Sequence, residues 1–213
     1  MSSITPQEFV AKWKSSELKE RSSYQEHFLN LCQLIEHPTP AELDAKGKFF
    51  TFEAGASKTA GGNGFADVWY LGHFAWEYKG KHANLDKAYD QLLQYKDSLQ
   101  NPPLLIVSDT DVIRVHTNFT NSIKKEINIS FDDILSGKGL KILRQVFTDP
   151  EALRPAETTQ QVTEEAAKKF ARLADRMRSR GEDPTQAAHF IIRLLFCLFS
   201  EDIGLLPDVN RHT

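Results

Sequence analysis

Apolar residues recur at spacings of three and four near the N-terminus, with Phe9, Val10 and Trp13 on one stripe and Phe28, Leu29, Leu31, Cys32 and Ile35 on another. That period predicts helices over 6–20 and 23–36. The segment HPTPAELDAKGKFF then breaks the period with two prolines. Beyond it FFTFE is a short strand candidate, and AGASKTAGGNG reads as a glycine-rich loop. Further strands are predicted over 65–70, 74–79, 104–109 and 112–118. Between the second and third of these, Leu85, Ala88, Leu92, Tyr95 and Leu99 form one face of a helix over 84–99 that can cover a sheet. A weaker helical period runs over 138–147, and an α/β core is expected to end near residue 150.

The pattern changes at TDPEALRPAETTQQ, where the helical period lapses and a linker over 151–160 is expected. A helical hairpin over 161–213 follows. Its first arm has Thr163 as N-cap with Glu164 and Glu165 in the first turn, and stops at Gly181; its second has Asp183 as cap and Pro184 as first helical residue. The second arm, AAHFIIRLLFCLF, is apolar nearly all round, so it calls for burial against something larger than its partner helix. A further domain or a second copy of the chain would serve. The ending LLPDVNRHT offers no capping element, which fits a fragment or an oligomer.

Composition narrows the class. The 213 residues are 40% hydrophobic and 26% charged, enough apolar content for a folded core and too much for disorder. A formal net charge of -3 gives no general attraction to nucleic acid, so any such contact needs a local basic patch. Cys32 and Cys197 lie in apolar helical segments without zinc spacing and read as core thiols. The N-terminus lacks the features of a signal peptide and no apolar run is long enough to span a bilayer, so a cytoplasmic protein without membrane attachment is expected. The glycine-rich loop lacks the Gly-Lys-Ser/Thr ending of a phosphate loop and leads into a strand, which excludes that motif.

Candidate chemistry is concentrated in GFADVWYLGHFAWEYKGK, residues 64–81. Alternation puts Ala75, Glu77 and Lys79 on one face of a strand and Trp76 and Tyr78 on the other. A three-residue turn near YLGH would set Asp67 opposite Glu77, whereas a two-residue turn would turn it away. A solvated Glu-x-Lys ion pair is the competing reading. If Asp67 joins, two carboxylates and the Tyr78 carbonyl offer oxygen ligands to a hard cation such as Mg²⁺, with Mn²⁺ as a substitute. Lys79 could then orient a water and offset charge on a phosphorane-like transition state. Lys58, Lys81 and His82 are candidates for contacts to a DNA backbone.

Asp67, ten residues, then Glu77-Tyr78-Lys79 resembles the PD-(D/E)xK nuclease signature, and QLLQY at 91–95 resembles the Gln-x-x-x-Tyr element of several of its branches. Together with SYQEHFLNLCQLI, FTFEAGASKTAGGNGFADVW, HTNFTN and AAHFIIRLLFCLFSEDIGLLP, these stretches resemble the N-terminal part of MmeI-type restriction-modification proteins. The resemblance implies a restriction-endonuclease-like core, a mixed sheet flanked by helices, over 1–150. It implies Asp67 and Glu77 as metal ligands, Lys79 as catalytic lysine, Gln91 and Tyr95 in support, and Glu26 as a further metal ligand from the first long helix. The implied activity is Mg²⁺-dependent cleavage of double-stranded DNA, with methyltransferase and target-recognition domains supplied in cis or trans. The alternative is a non-catalytic DNA-binding or interaction module, or a remnant docked on a methyltransferase. Ala66 stands where the signature's name has proline. NPPL at 101–104 is near an adenine-methylation motif, but Leu104 replaces its aromatic residue, so a turn and no S-adenosylmethionine site are expected.

Overall fold

The computed structural model describes residues 4–16, 20–57 and 63–202. Its contacts divide the chain into two units, 1–156 and 157–213, and the stretch expected as a linker over 151–160 includes most of a short 3-10 helix (Pro150–Leu153) and the first residues of a helix that starts at Thr159.

In the first unit, α1 (Pro6–Lys14) opens on a capping box: the Thr5 hydroxyl accepts the Glu8 N–H at 3.2 Å and the Glu8 carboxylate accepts the Thr5 N–H at 2.8 Å. It ends six residues earlier than the period suggests, because the Ser15 hydroxyl donates to the Ala11 and Lys12 carbonyls. Helix α2 (Glu20–Ile35) stops where Glu36 takes a left-handed φ of 61° and the His37 N–H reaches back to the Cys32 carbonyl at 2.9 Å. The two prolines that follow do not simply break structure. Thr39 and Glu42 form a second capping box, with Pro40 at the first position of a one-turn helix α3 (Pro40–Leu43).

Six strands follow in one sheet: β1 (Phe50–Ser57), β2 (Asn63–Tyr70), β3 (Phe74–Tyr78), β4 (Leu104–Ser108), β5 (Ile113–Thr117) and β6 (Glu126–Ile129). The described ends of the expected glycine-rich loop, 54–57 and 63–64, are strand, since β1 and β2 stay paired out to Ser57 and Asn63. Small residues at 54–56 and 64 hide the alternation that would have signalled this. Order in the sheet repeats order in the chain, and every pair is antiparallel except β3–β4. That parallel pair needs a crossover, which α4 (Leu85–Tyr95) supplies. Strand β6 and a short α5 (Phe131–Leu135) were not legible beforehand; α6 (Lys138–Thr148) was.

Side chains divide between the two faces as alternation requires. Phe74, Trp76 and Tyr78 join Phe9, Trp13, Phe28, Leu31 and Phe147 in one core. Ala75, Leu105 and Val107 pack with Leu85, Ala88, Leu92, Tyr95 and Leu99 in the other, so α4 covers the face to which Glu77 and Lys79 point. Burying Leu85 and Leu92 of α4 contributes roughly 1.5–3 kcal/mol each.

In the second unit, α7 (Thr159–Ser179) is capped by Thr158 and not by Thr163: the Thr158 hydroxyl accepts the Gln161 N–H at 3.1 Å, and Gln161 returns a bond to the Thr158 N–H. The capping box starts one turn upstream, inside TTQQ. Gly181, at a φ of 84°, follows the end of α7, and Asp183 accepts the Gln186 N–H at the start of α8 (Pro184–Asp202) as expected. Phe190, Ile192, Phe196 and Phe199 of α8 remain exposed. No helix among the described residues is long and apolar enough to cross a membrane.

Candidate active site

The turn between β2 and β3 has three residues, Leu71, Gly72 and His73, with Gly72 at a φ of 73° that disfavours a side chain. Strand pairing runs Tyr70↔Phe74, Trp69↔Ala75 and Val68↔Trp76, so one further step sets Asp67 opposite Glu77. The shorter turn is thereby excluded. At that step the Tyr78 N–H donates to the Asp67 carboxylate at 2.6 Å, which ties the two strands together through a side chain. The Lys79 N–H extends the parallel pairing by donating to the Ser108 carbonyl at 2.8 Å.

Glu77 is 4% exposed, and the surrounding groups satisfy both of its carboxylate oxygens. Oε1 accepts from the Lys79 ammonium at 2.8 Å and from the Gln91 amide at 2.9 Å, while Oε2 accepts from the Tyr95 hydroxyl at 3.0 Å. The Gln91 carbonyl lies 3.3 Å from the Lys79 ammonium and accepts from it. Gln91 and Tyr95 reach the same carboxylate because they are four residues apart on one face of α4. Burial pushes the Tyr95 phenol well above its ordinary pKa, and the adjacent Glu77 charge adds to this, so Tyr95 stays protonated and can donate to the carboxylate. Asp67, Glu77, Lys79, Gln91 and Tyr95 thus form one connected site.

The other candidates are placed elsewhere. Glu26 is exposed and pairs with Lys12 at 2.6 Å. Helix α2 instead sends Tyr24 toward the Asp67 end: its hydroxyl donates to Glu53 at 3.0 Å, and its pKa is raised by burial first, with the Glu53 and Asp67 charges contributing. The Lys81 ammonium is engaged within the protein, bonding to the Trp13 and Lys14 carbonyls at the end of α1 and pairing with Asp111 at 3.0 Å. His82 sits at a φ of 62° with its N–H on Asp109, leaving an exposed ring. Lys58 lies outside the described residues. Sequence reasoning passed over Tyr24, Glu53, His27 and Asp109. Of these only Asp109 had a local signal, the SDTD turn, in which its carboxylate accepts the Asp111 and Val112 N–H groups.

Asp67 and Glu77 are carboxylates of the kind a hard cation binds, and a cation there would share or displace the donors that now bond to them. Among the described residues no group of three or more His, Cys, Asp or Glu could hold a metal. A two-carboxylate set leaves the remaining positions to a carbonyl and water, as Mg²⁺ accepts.

The family described as MmeI, N-terminal domain, matches residues 1–180. The chain belongs to that family. This MmeI-type region is also similar in structure to a chain of the DrdV–DNA complex determined by cryo-electron microscopy, at a TM-score of 0.40 and 18% identity. The similarity covers 81% of the MmeI-type chain and 14% of the other, so the chain spans a small part of that protein's length. No curated protein matches it.

Proposed function

We propose that this MmeI-type region is the endonuclease part of a restriction-modification protein, a PD-(D/E)xK nuclease that hydrolyses phosphodiester bonds in double-stranded DNA with Mg²⁺. The observation that carries the reading is the convergence of Asp67, Glu77 and Lys79 on one strand-pair end, with Gln91 and Tyr95 locking the carboxylate between them. An ordinary solvated Glu-x-Lys pair would neither be buried nor recruit two further polar side chains from a facing helix.

Asp67 and Glu77, with the Tyr78 carbonyl, would hold the cation, and Mn²⁺ would substitute. When bound, Mg²⁺ lowers the pKa of a coordinated water and polarises a phosphoryl oxygen. The chain's own residues supply the rest. Lys79 sits beside Glu77, where it orients the attacking water and offsets the negative charge that grows on phosphorus as one P–O bond forms and another breaks. Gln91 accepts from the Lys79 ammonium and donates to Glu77, fixing both relative to each other. Recognition of a DNA site belongs to target-recognition and methyltransferase domains in cis or trans. The exposed apolar residues of α8 favour a role for the hairpin in docking on such a partner, and that role alone is the second reading.

Nicking of supercoiled plasmid with Mg²⁺ or Mn²⁺ tests the first reading. Metal-dependent nicking by the wild type, abolished by chelator and by Lys79→Ala with the fold unchanged, is the expected result. Equal cutting by Lys79→Ala would remove Lys79 from the mechanism.

A further inference from the structure

The middle residue of Glu77-Tyr78-Lys79 points away from the site, into the core on the other side of the sheet. There Tyr78 is fully buried, and its hydroxyl lies 2.9 Å from Nδ1 of His27 on α2, itself fully buried. Phe9 and Trp13 of α1 hold the His27 ring at centroid distances of 5.3 and 4.8 Å, and Trp76 stacks on Tyr78 at 5.6 Å. Removing a phenol and an imidazole from water is costly, and their mutual bond only offsets that cost. An apolar pair of the same shape would serve stability as well or better. Stability is therefore not what a polar pair at this point provides.

The pair does fix geometry. Tyr78 contributes to both sides of β3: its ring is tethered to α2, and its N–H holds the Asp67 carboxylate at 2.6 Å. Rotation of β3 about its own axis would break both bonds at once. Such rotation would also turn Glu77 and Lys79 away from Gln91 and Tyr95, because neighbouring side chains on a strand project to opposite faces.

We infer that His27 is a positioning residue: through its bond to the Tyr78 hydroxyl it sets the rotation of β3, and so the separation of the Asp67 and Glu77 carboxylates. The inference deepens the nuclease reading and, for its effect on metal use, rests on it.

Two variants of nearly equal size separate positioning from packing. His27→Asn keeps a polar atom on Cγ, where Nδ1 was, whereas His27→Leu replaces it with methyl groups, and both lose the ring. A packing role predicts that Leu is the better replacement throughout. Positioning predicts opposite orders: Leu at least as stable as Asn by thermal unfolding, but Asn closer to wild type in the Mn²⁺ concentration required for nicking. His27→Leu should raise that concentration about 10-fold or more, the range seen when groups supporting a metal ligand are removed. The amide resonance of Tyr78, followed by NMR without metal or DNA, supplies a readout independent of activity. It should shift in His27→Leu and stay near its wild-type position in His27→Asn. Leu and Asn variants with the same Tyr78 amide shift would overturn the inference, whether or not the wild type cuts DNA. A wild type that neither nicks nor binds Mn²⁺, with the amide shift as expected, would overturn the nuclease reading and leave the positioning intact.

Discussion

At the scale of single residues, Glu77 is the point on which the site depends. A nearly buried carboxylate is tolerated because three donors from two elements satisfy it. Tyr95→Phe removes one donor without changing shape, and leaves Oε2 without its tyrosine bond in a place water reaches poorly. A loss of about 1–3 kcal/mol in urea unfolding is expected, larger than the few tenths that follow from a typical surface change. An unchanged midpoint would mean that Glu77 finds another donor or takes a proton. Part of the cluster was legible because its logic is local: alternation puts Glu77 and Lys79 on one face, whereas the face of Asp67 hung on the turn length and Gln91 and Tyr95 came from the resemblance to a Gln-x-x-x-Tyr element. The surroundings of Glu26 and Lys81 were not legible because their partners come from other elements. Which side of α2 meets the sheet is decided by packing of Tyr24, His27 and Phe28, and Lys81 is taken up by the end of α1 and by Asp111.

At the scale of elements, the longer and strongly periodic pieces were readable, and those held by side-chain caps or by glycine were not. Helix α4 carries its apolar face openly, whereas the pairing of β1 with β2 continues through alanine and glycine and α3 rests on a single capping box. Strand β6, with only Ile127 and Ile129 to mark it, depends on α6 packing close by. Gly139 permits that approach: a Cβ there would lie 2.7 Å from the Ile129 Cγ2 and 3.0 Å from the Asp133 carbonyl carbon. Alanine is normally worth up to about 1 kcal/mol over glycine inside a helix, but here one obstacle is backbone and cannot rotate aside. Overpacking of about 1–3 kcal/mol should prevail, and Gly139→Ala should lower the melting temperature by several degrees in a calorimetric scan. A raised melting temperature would show that α6 can shift without cost.

For the whole molecule, buried histidines on both faces of the sheet set the response to acid. Burial pushes His27 down to about 3 from an ordinary value of 6.5, with the nearby Thr110 backbone opposing and the Lys12 charge adding. His37 and His116 are also lowered, chiefly by burial. Between 6.5 and about 3 the unfolded chain binds a proton that folded His27 refuses, so its contribution is complete above 6.5 and declines as pH falls through that window. Glu42, held low by the Thr39 N–H, adds a loss only as pH falls below its ordinary 4.5. The melting temperature should therefore begin to drop near pH 6, and His27→Asn should flatten that limb of the profile. A wild-type profile level down to pH 4.5 would contradict this.

The matching of sheet order to chain order also has a consequence for synthesis. Asp67, Glu77, Lys79, Gln91 and Tyr95 are consecutive features of one uninterrupted stretch, β2 through α4, joined by short connections whose closure costs little entropy. A nascent chain therefore holds every polar group of the cluster before β4 exists to flank β3. Synthesis thus delivers the carboxylates and their donors together, ahead of the strands β4 to β6 that complete the sheet around them.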